Sequence, residues 1–346
     1  MLTGVARAFS DDIAVDLGTA NTIVYVAGRG VIIDEPSVVA VQTVDGSRAI
    51  LAVGMQAKAL LGRTPEPIEL VRPLRDGVIA DFLAVEEMLR QFLLGAKRAF
   101  GFLRPRILVC VPSGATPLER KAVRDATLQM RASQVLMVEE PVAAALGAGL
   151  PIERAHAFMV VDIGGGTTDI AVMREGRIVA TRSIRIAGNA MDEAIMRHVR
   201  ARHRLVIGER NAEYIKMEAG RAGPGIETGE EVDVLIKGRE IGSGRLKSVT
   251  LGAQDVAEAL ADPVARLGDF VERALEDLPR RIVLEVANVG IVLTGGGALL
   301  AGLDAVLSER LGMRVAVAAD PLHCVIRGTA ILLDGLDRHR DLLLKT

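Results

Sequence analysis

Two segments rich in glycine and threonine could bind phosphate groups. Residues 16–22 read Asp-Leu-Gly-Thr-Ala-Asn-Thr, and residues 162–168 read Asp-Ile-Gly-Gly-Gly-Thr-Thr. A turn of small residues lets backbone N–H groups approach phosphate oxygens closely, and threonine hydroxyls add further donors. Two such turns that face each other could bind a polyphosphate from both sides.

An aspartate opens each of these segments and could lie beside a metal ion. Asp16 and Asp162 both end apolar runs that are typical of buried strands. Carboxylates that converge on phosphate groups would repel them unless a cation lies between. Mg²⁺, which keeps part of its water shell and prefers oxygen ligands, fits that position.

A third glycine turn and a pair of glutamates are further candidates for ligand binding and catalysis. Residues 294–298 read Thr-Gly-Gly-Gly-Ala and could present flat backbone to a nucleobase or ribose, although such turns also simply connect a strand to a helix. Pro141 favours the first position of a helix, which places Glu140 near its N-cap. A carboxylate fixed there could assist attack by water on a terminal phosphate, or it could merely complement the helix dipole.

Composition and missing motifs exclude several classes of protein. The sequence contains neither G-x-x-x-x-G-K-[ST] nor a G-x-G-x-x-G after a strand, which argues against a P-loop or dinucleotide site. A net charge of −2 and an aromatic content of 3% argue against a nucleic-acid partner. No apolar run is long enough to span a membrane, and we expect no signal peptide.

The elements that must position these residues alternate between strands and helices, which predicts an α/β fold. The unit of strand, Asp, glycine turn and returning strand occurs twice, which predicts two related lobes. The predicted strands are 12–17, 22–27, 106–111, 158–163, 170–173 and 289–294, with further strands within 37–53 and 231–251. The predicted helices are 82–100, 117–130 behind a capping box, 190–204, 210–220, 298–311 and a long region broken near Pro263.

Together these segments resemble the actin/Hsp70/sugar-kinase ATPase superfamily and, within it, the MreB family of bacterial rod-shape actins. The resemblance runs in order from about residue 10 to residue 335. It is carried by Asp16–Thr22, Asp34–Ala40, Arg72–Asp81, Glu139–Pro141, Asp162–Thr168 and Leu293–Gly297. It implies an actin-like ATPase fold of two lobes, or four subdomains, around a central nucleotide cleft. The implied boundaries are 1–32, 68–145 and 320–346 for subdomain IA, 33–67 for IB, 146–183 and 252–319 for IIA, and 184–251 for IIB.

The resemblance also implies ATP and Mg²⁺ as ligands and assigns roles to residues. Asp16 and Asp162 match the acidic positions around the metal, and Glu140 with Thr167 matches the pair that holds the attacking water. The implied nucleotide contacts are Gly18, Thr19, Ala20 and Asn21 in the first phosphate loop, Gly164, Gly165, Gly166 and Thr167 in the second, Glu213 and Lys216 at the ribose and base, and Gly295, Gly296, Gly297 and Ala298 in the adenosine loop.

The function implied by the resemblance is that of a slowly hydrolysing ATPase whose filaments guide cell-wall elongation and rod shape. The filaments would be antiparallel double protofilaments at the inner face of the cytoplasmic membrane, in contact with membrane proteins of the elongation machinery. An actin that positions an organelle and a small-molecule kinase stay open as alternatives. A chaperone of the Hsp70 type is not expected, because little chain follows the last predicted helix.

Two short apolar features could attach such filaments to a membrane. Leu2, Val5 and Phe9 share one face of a predicted helix, and Phe102-Leu103 is followed by Arg104 and Arg106, which suit anionic headgroups. Each feature could instead pack against the body of the protein. A peripheral, cytoplasmic location is therefore a hypothesis that depends on these few side chains.

Overall fold

A computed structural model describes residues 12–44, 47–60, 68–96, 104–130, 132–223 and 233–345. The strands are β1 (Ile13–Leu17), β2 (Asn21–Val26), β3 (Gly30–Pro36), β4 (Val39–Val44), β5 (Ser47–Val53), β6 (Ile68–Val71), β7 (Leu74–Arg75), β8 (Val78–Ile79), β9 (Arg106–Val111), β10 (Gln134–Glu139), β11 (Phe158–Ile163), β12 (Thr168–Arg174), β13 (Arg177–Ile184), β14 (Leu205–Val206), β15 (Val234–Glu240), β16 (Leu246–Leu251), β17 (Ile291–Thr294) and β18 (Val315–Val317). The helices are α1 (Gly54–Lys58), α2 (Phe82–Ala96), α3 (Pro117–Leu128), α4 (Glu140–Gly147), α5 (Gly188–His203), α6 (Glu209–Ala219), α7 (Ala253–Glu276), α8 (Arg280–Val289), α9 (Leu303–Leu311) and α10 (Cys324–Asp334).

Two five-stranded sheets share one topology. The first has the order β10-β9-β1-β2-β3, and the second has the order β13-β12-β11-β17-β18. In the first, β1 is antiparallel to β2 and parallel to β9; in the second, β11 is antiparallel to β12 and parallel to β17. The predicted α/β fold with two related lobes is therefore confirmed, and we call the lobes around these sheets the first and the second lobe.

Each lobe also carries a small three-stranded sheet. In the first lobe β5-β4-β6 packs with α1, and in the second β14-β15-β16 packs with α5 and α6. Strand β6 lies just beyond the predicted IB boundary at residue 67 and pairs with β4. The division into four subdomains stays a prediction.

Helices α4 and α10 cross between the two large sheets. Helix α4 packs mainly against β11 and β12 and also contacts β9 and β10, whereas α10 packs against β1, β2 and β9. The two helices share one buried apolar cluster. Their backbones touch at two glycines. A Cβ on Gly147 would lie 1.8 Å from the Cys324 carbonyl oxygen, and one on Gly328 would lie 1.7 Å from that of Ala143. Only glycine fits at this crossing.

Three predicted helix boundaries were wrong. Helix α7 runs unbroken from Ala253 to Glu276 through Pro263, because its long buried face offsets the hydrogen bond that proline removes. The predicted helix 298–311 starts as a 3₁₀ turn, Gly296–Leu299, and becomes α-helical only at Leu303. Glu139 is the N-cap of α4, so Glu140 is its first helical residue and not its cap.

The capping box at the start of α3 is confirmed. The Thr116 hydroxyl accepts a hydrogen bond from the Glu119 N–H (3.3 Å), and the Glu119 carboxylate accepts one from the Thr116 N–H (2.6 Å). In the part of the chain that the structure describes, no helix has the length and apolar character needed to cross a membrane. The apolar residues Leu2, Val5, Phe9, Phe102 and Leu103 lie outside the described residues.

Candidate nucleotide site

The two predicted phosphate loops face each other directly. The turn between β1 and β2 carries Thr19 and Ala20, and the turn between β11 and β12 carries Gly165 and Gly166. A Cβ on Gly165 would lie 2.8 Å from the Ala20 Cβ, and one on Gly166 would lie 2.7 Å from the Thr19 Oγ1. The small residues of each turn are therefore what allows the backbones of the two lobes to approach each other here.

A third turn beside these loops lies within Arg72–Asp81, a segment that carries the family resemblance but to which the sequence assigned no role at the site. Asp76 and Gly77 connect β7 to β8 with left-handed φ values of 49° and 75°, which is the geometry of a two-residue hairpin. The Gly77 N–H donates to the Thr19 Oγ1 (3.1 Å), and the Asp76 Cα would lie 2.8 Å from a Cβ on Gly166. The Asp-Gly dipeptide signals a hairpin, but its place at the loops depends on contacts distant in sequence.

The carboxyl groups of Asp16, Asp162 and Glu140 converge next to the loops. Burial is the main cause that raises the pKa of Asp16 to about 7, and Asp162 adds to it. Burial likewise raises the pKa of Asp162 to about 7, although a 2.7 Å hydrogen bond from the Thr294 hydroxyl acts to lower it. Burial and the neighbouring Asp169, Asp16 and Asp162 raise the pKa of Glu140 well above its usual range.

Asp169 is a fourth carboxyl of this group, to which the sequence had suggested no role. It is completely buried at the start of β12, and its Oδ1 accepts a hydrogen bond from the Ser113 N–H (2.9 Å). Its Oδ2 is buried without a hydrogen-bond partner among the described residues. Burial is the main cause that raises its pKa. A divalent cation beside the carboxylate would offset this cost of burying its charge. The oxygen-rich donor set therefore fits Mg²⁺.

The third glycine turn packs against the end of β11. A Cβ on Gly295, whose φ is 78°, would lie 2.4 Å from the Ile163 carbonyl oxygen, and one on Gly297 would lie 2.2 Å from the Ile163 Cγ2. Together with the bond from Thr294 to Asp162, these contacts join the predicted adenosine loop to the second phosphate loop.

Helix α6 carries Glu213 and Lys216 and is connected to the second phosphate loop through the start of α5. The Lys216 Nζ donates to the Gly188 carbonyl oxygen (3.1 Å) and lies 2.9 Å from the Asp192 Oδ1. The Gly188 N–H in turn donates to the Gly164 carbonyl oxygen (3.1 Å). The structure thus brings the predicted ribose and phosphate contacts into one connected region.

A separate cluster of metal-type ligands is an ion-pair network. His198, Asp255 and Glu258 place ligand atoms within 4.8 Å of one another on α5 and α7. The Arg202 guanidinium lies between the acids, with Nε 3.2 Å from Asp255 Oδ1 and Nη1 2.6 Å from Glu258 Oε2. Both carboxylates of this cluster are therefore already paired with a side chain, which offsets part of their negative charge.

The two related lobes and the paired loops define an actin-like fold, and the comparisons with known proteins agree. The MreB/Mbl protein family model matches residues 10–341, and the chain belongs to this family. It is 46% identical over 343 residues to the cell shape-determining protein MreB of Escherichia coli K12, across 98% of each chain. The crystal structure of MreB5 of Spiroplasma citri bound to ADP has a TM-score of 0.89 at 35% identity and covers 95% of this chain and 98% of that one. Its AMPPNP-bound structure matches with the same TM-score and identity, and covers 95% of this chain and 97% of that one.

Proposed function

We propose that this chain is a bacterial actin that binds ATP with Mg²⁺ in the cleft, hydrolyses it slowly and assembles into filaments. The observation that carries the proposal is the pair of facing glycine turns with four converging carboxyl groups. The ADP and AMPPNP in the similar Spiroplasma citri structures support it. The four predicted subdomains would surround this cleft.

Different residues of the cleft would bind the phosphates, hold Mg²⁺ and carry out hydrolysis. The N–H and hydroxyl groups of residues 18–21 and 164–167 would donate to the phosphates. Asp16 and Asp162 would hold Mg²⁺, which supplies positive charge that lets these carboxylates and the phosphates coexist. Glu140 would hold the attacking water with Thr167 and accept its proton. A carboxylate fixed in this position can accept a proton from the attacking water.

The cellular role follows from the family. The Escherichia coli relative is named for determining cell shape, and we infer the same role here, through antiparallel double protofilaments that guide wall elongation with membrane proteins of that machinery. The peripheral location at the inner membrane rests on the sequence of residues 2–9 and 102–103. Arg106, one of the two basic residues near the second feature, is bonded to Asp12 (Nε to Oδ2, 2.9 Å), so attraction to headgroups there would depend on Arg104.

Electron microscopy of the purified protein on anionic liposomes tests the proposal. We expect membrane-attached filaments with ATP, and fewer with ADP or without nucleotide. The triple variant Phe9→Ala/Phe102→Ala/Leu103→Ala should form filaments that no longer bind liposomes. Equal assembly in all nucleotide states would contradict the ATP-dependent filament, and unchanged liposome binding of the variant would contradict the membrane contacts.

Without nucleotide and Mg²⁺, the protein should be more stable at about pH 5.5 than at about pH 8. The folded pKa of Asp16 and of Asp162 is about 7, above the unfolded value of 3.8. The folded state therefore binds more protons between these values, and stability falls as the pH rises through that window. Between pH 5.5 and pH 8, one such carboxyl corresponds to roughly 2 kcal/mol at most.

Thermal unfolding at both pH values, with EDTA or with saturating Mg²⁺ and ATP, measures this effect. Mg²⁺ and ATP should flatten the dependence, because they neutralise the carboxylates of the folded state. His323, whose pKa is raised mainly by its hydrogen bond to Asp320, changes stability in the same direction. The variant Asp162→Asn removes one of the carboxyls with a raised pKa and should lose part of the dependence. A melting temperature that rises towards pH 8 in EDTA would refute the prediction.

A further inference from the structure

Two ion pairs join helix α6 of the second lobe to the small sheet of the first lobe. The Arg72 Nη2, directly after β6, lies 2.7 Å from the Glu209 Oε2. The Lys58 Nζ, at the end of α1, lies 3.0 Å from the Glu213 Oε2. Both pairs connect elements more than one hundred residues apart in the chain. They therefore bridge the two lobes on the side of the cleft where α6 lies.

The same face of this helix is connected to the second phosphate loop through the start of α5. Glu209 and Glu213 are one helical turn apart and share a face of α6, and Lys216 follows within the next turn. Lys216 bonds to Gly188 at the start of α5, and the N–H of the adjacent Asn189 donates to the Gly165 carbonyl oxygen (2.7 Å). A continuous series of polar contacts thus runs from the first lobe through α6 to the phosphate loop of the second.

We propose that Lys58 and Arg72 are positioning residues of the nucleotide site, which hold α6 from the opposite lobe so that Glu213 and Lys216 meet the ribose and base when the cleft is closed. This inference rests on the proposed ATP site. Neither basic residue is among the predicted nucleotide contacts.

The size of the effect follows from the exposure of the pairs. The side chains of Arg72 and Glu209 are 32% and 56% exposed, and those of Lys58 and Glu213 are 32% and 36% exposed. Such pairs change an equilibrium by about 1.5- to 5-fold each, and less at high salt. Because release of a bound nucleotide requires the lobes to separate, we expect the change mainly in the dissociation rate.

Nucleotide release from charge variants tests the inference. Stopped-flow release of a fluorescent ATP analogue should be about threefold faster in Lys58→Met, Arg72→Glu and Glu209→Arg than in the wild-type protein. The double variant Arg72→Glu/Glu209→Arg restores an ion pair and should return to within about twofold of the wild type. Arg182→Met is the matched control, since it removes a 3.0 Å pair with Asp277 that lies wholly within the second lobe.

A comparison of ATP with 2′-deoxy-ATP and 3′-deoxy-ATP separates positioning from a general loss of structure. Lys58→Met should bind ATP more weakly but the deoxy analogues almost as well as the wild type does, because it misplaces the ribose contact. The inference would be overturned if Lys58→Met lost the same affinity for all three ligands or bound ATP more tightly than the wild type. It would also be overturned if the charge-swapped double variant released the nucleotide as fast as either single variant. If the wild-type protein fails to bind ATP, the proposed function falls and the inference falls with it. Tight wild-type binding with unaffected variants overturns the inference alone.

Discussion

Replacing Glu140 with glutamine should lower the rate of ATP hydrolysis by about 10²–10⁴-fold and leave ATP affinity within a few-fold. Glutamine keeps the size of the side chain but cannot accept a proton from water. Glu140 lies in the first turn of α4 and is buried close to Asp16, Asp162 and Asp169, whose charges contribute to its raised pKa. If hydrolysis drives disassembly, filaments of this variant should persist with ATP.

Single-turnover release of phosphate measures this effect, and Glu139→Gln is its matched control. Glu139 is the neighbouring carboxyl, but its Oε2 accepts a hydrogen bond from the Ser113 hydroxyl (3.1 Å) and its Oε1 lies 3.7 Å from Arg120. We expect this control to hydrolyse ATP at least tenfold faster than Glu140→Gln, on the order of a general-base contribution. Equal rates in the two variants would remove Glu140 from the mechanism.

Replacing Gly328 with alanine should destabilise the protein by about 3 kcal/mol or more, at the upper end of the usual cost of overpacking. The added Cβ would lie 1.7 Å from the carbonyl oxygen of Ala143 in the facing helix. A backbone atom cannot rotate away as a side chain can, so α4 and α10 must separate. Their separation would loosen the apolar cluster that joins the two large sheets.

Urea unfolding of the two alanine variants Gly328→Ala and Gly208→Ala measures the cost. Gly208 precedes α6, has a negative φ of −90°, and a Cβ there would meet no atom within 4 Å. We expect its midpoint to stay near that of the wild type, whereas Gly328→Ala should unfold at much lower urea or fail to accumulate as folded protein. Similar midpoints for both variants would mean that the helices can move apart at little cost.

The core of the fold could be predicted from the sequence because its signals are local. Strands β9 and β11 occur at the predicted bounds, 106–111 and 158–163, since each is a short, largely apolar run in which half of the residues are β-branched. That the two phosphate loops face each other could be predicted because the unit of strand, turn and returning strand occurs twice. The roles of the individual site residues stay predictions.

The remaining features depend on contacts that sequence periodicity does not contain. Pro263 predicted a break, but tertiary burial of α7 overrides the local preference. Asp169 directly follows the second glycine segment, and only folding shows that it joins Asp162 and Glu140. The pairs of Arg72 and Lys58 with α6 link surface charges from distant segments, which no local pattern could have matched.

The glycine crossing of α4 and α10 also bears on how the lobes can move. Interlocked side chains between two packed helices resist gradual displacement of one helix along the other, because the side chains must unpack and repack at each step. At Gly147 and Gly328 backbone meets backbone with no side chain between, while α4 packs mainly against the second large sheet and α10 against the first. A twist of one lobe relative to the other would meet less steric resistance at these two contacts than at interlocked side chains, so we expect the crossing to permit such a twist.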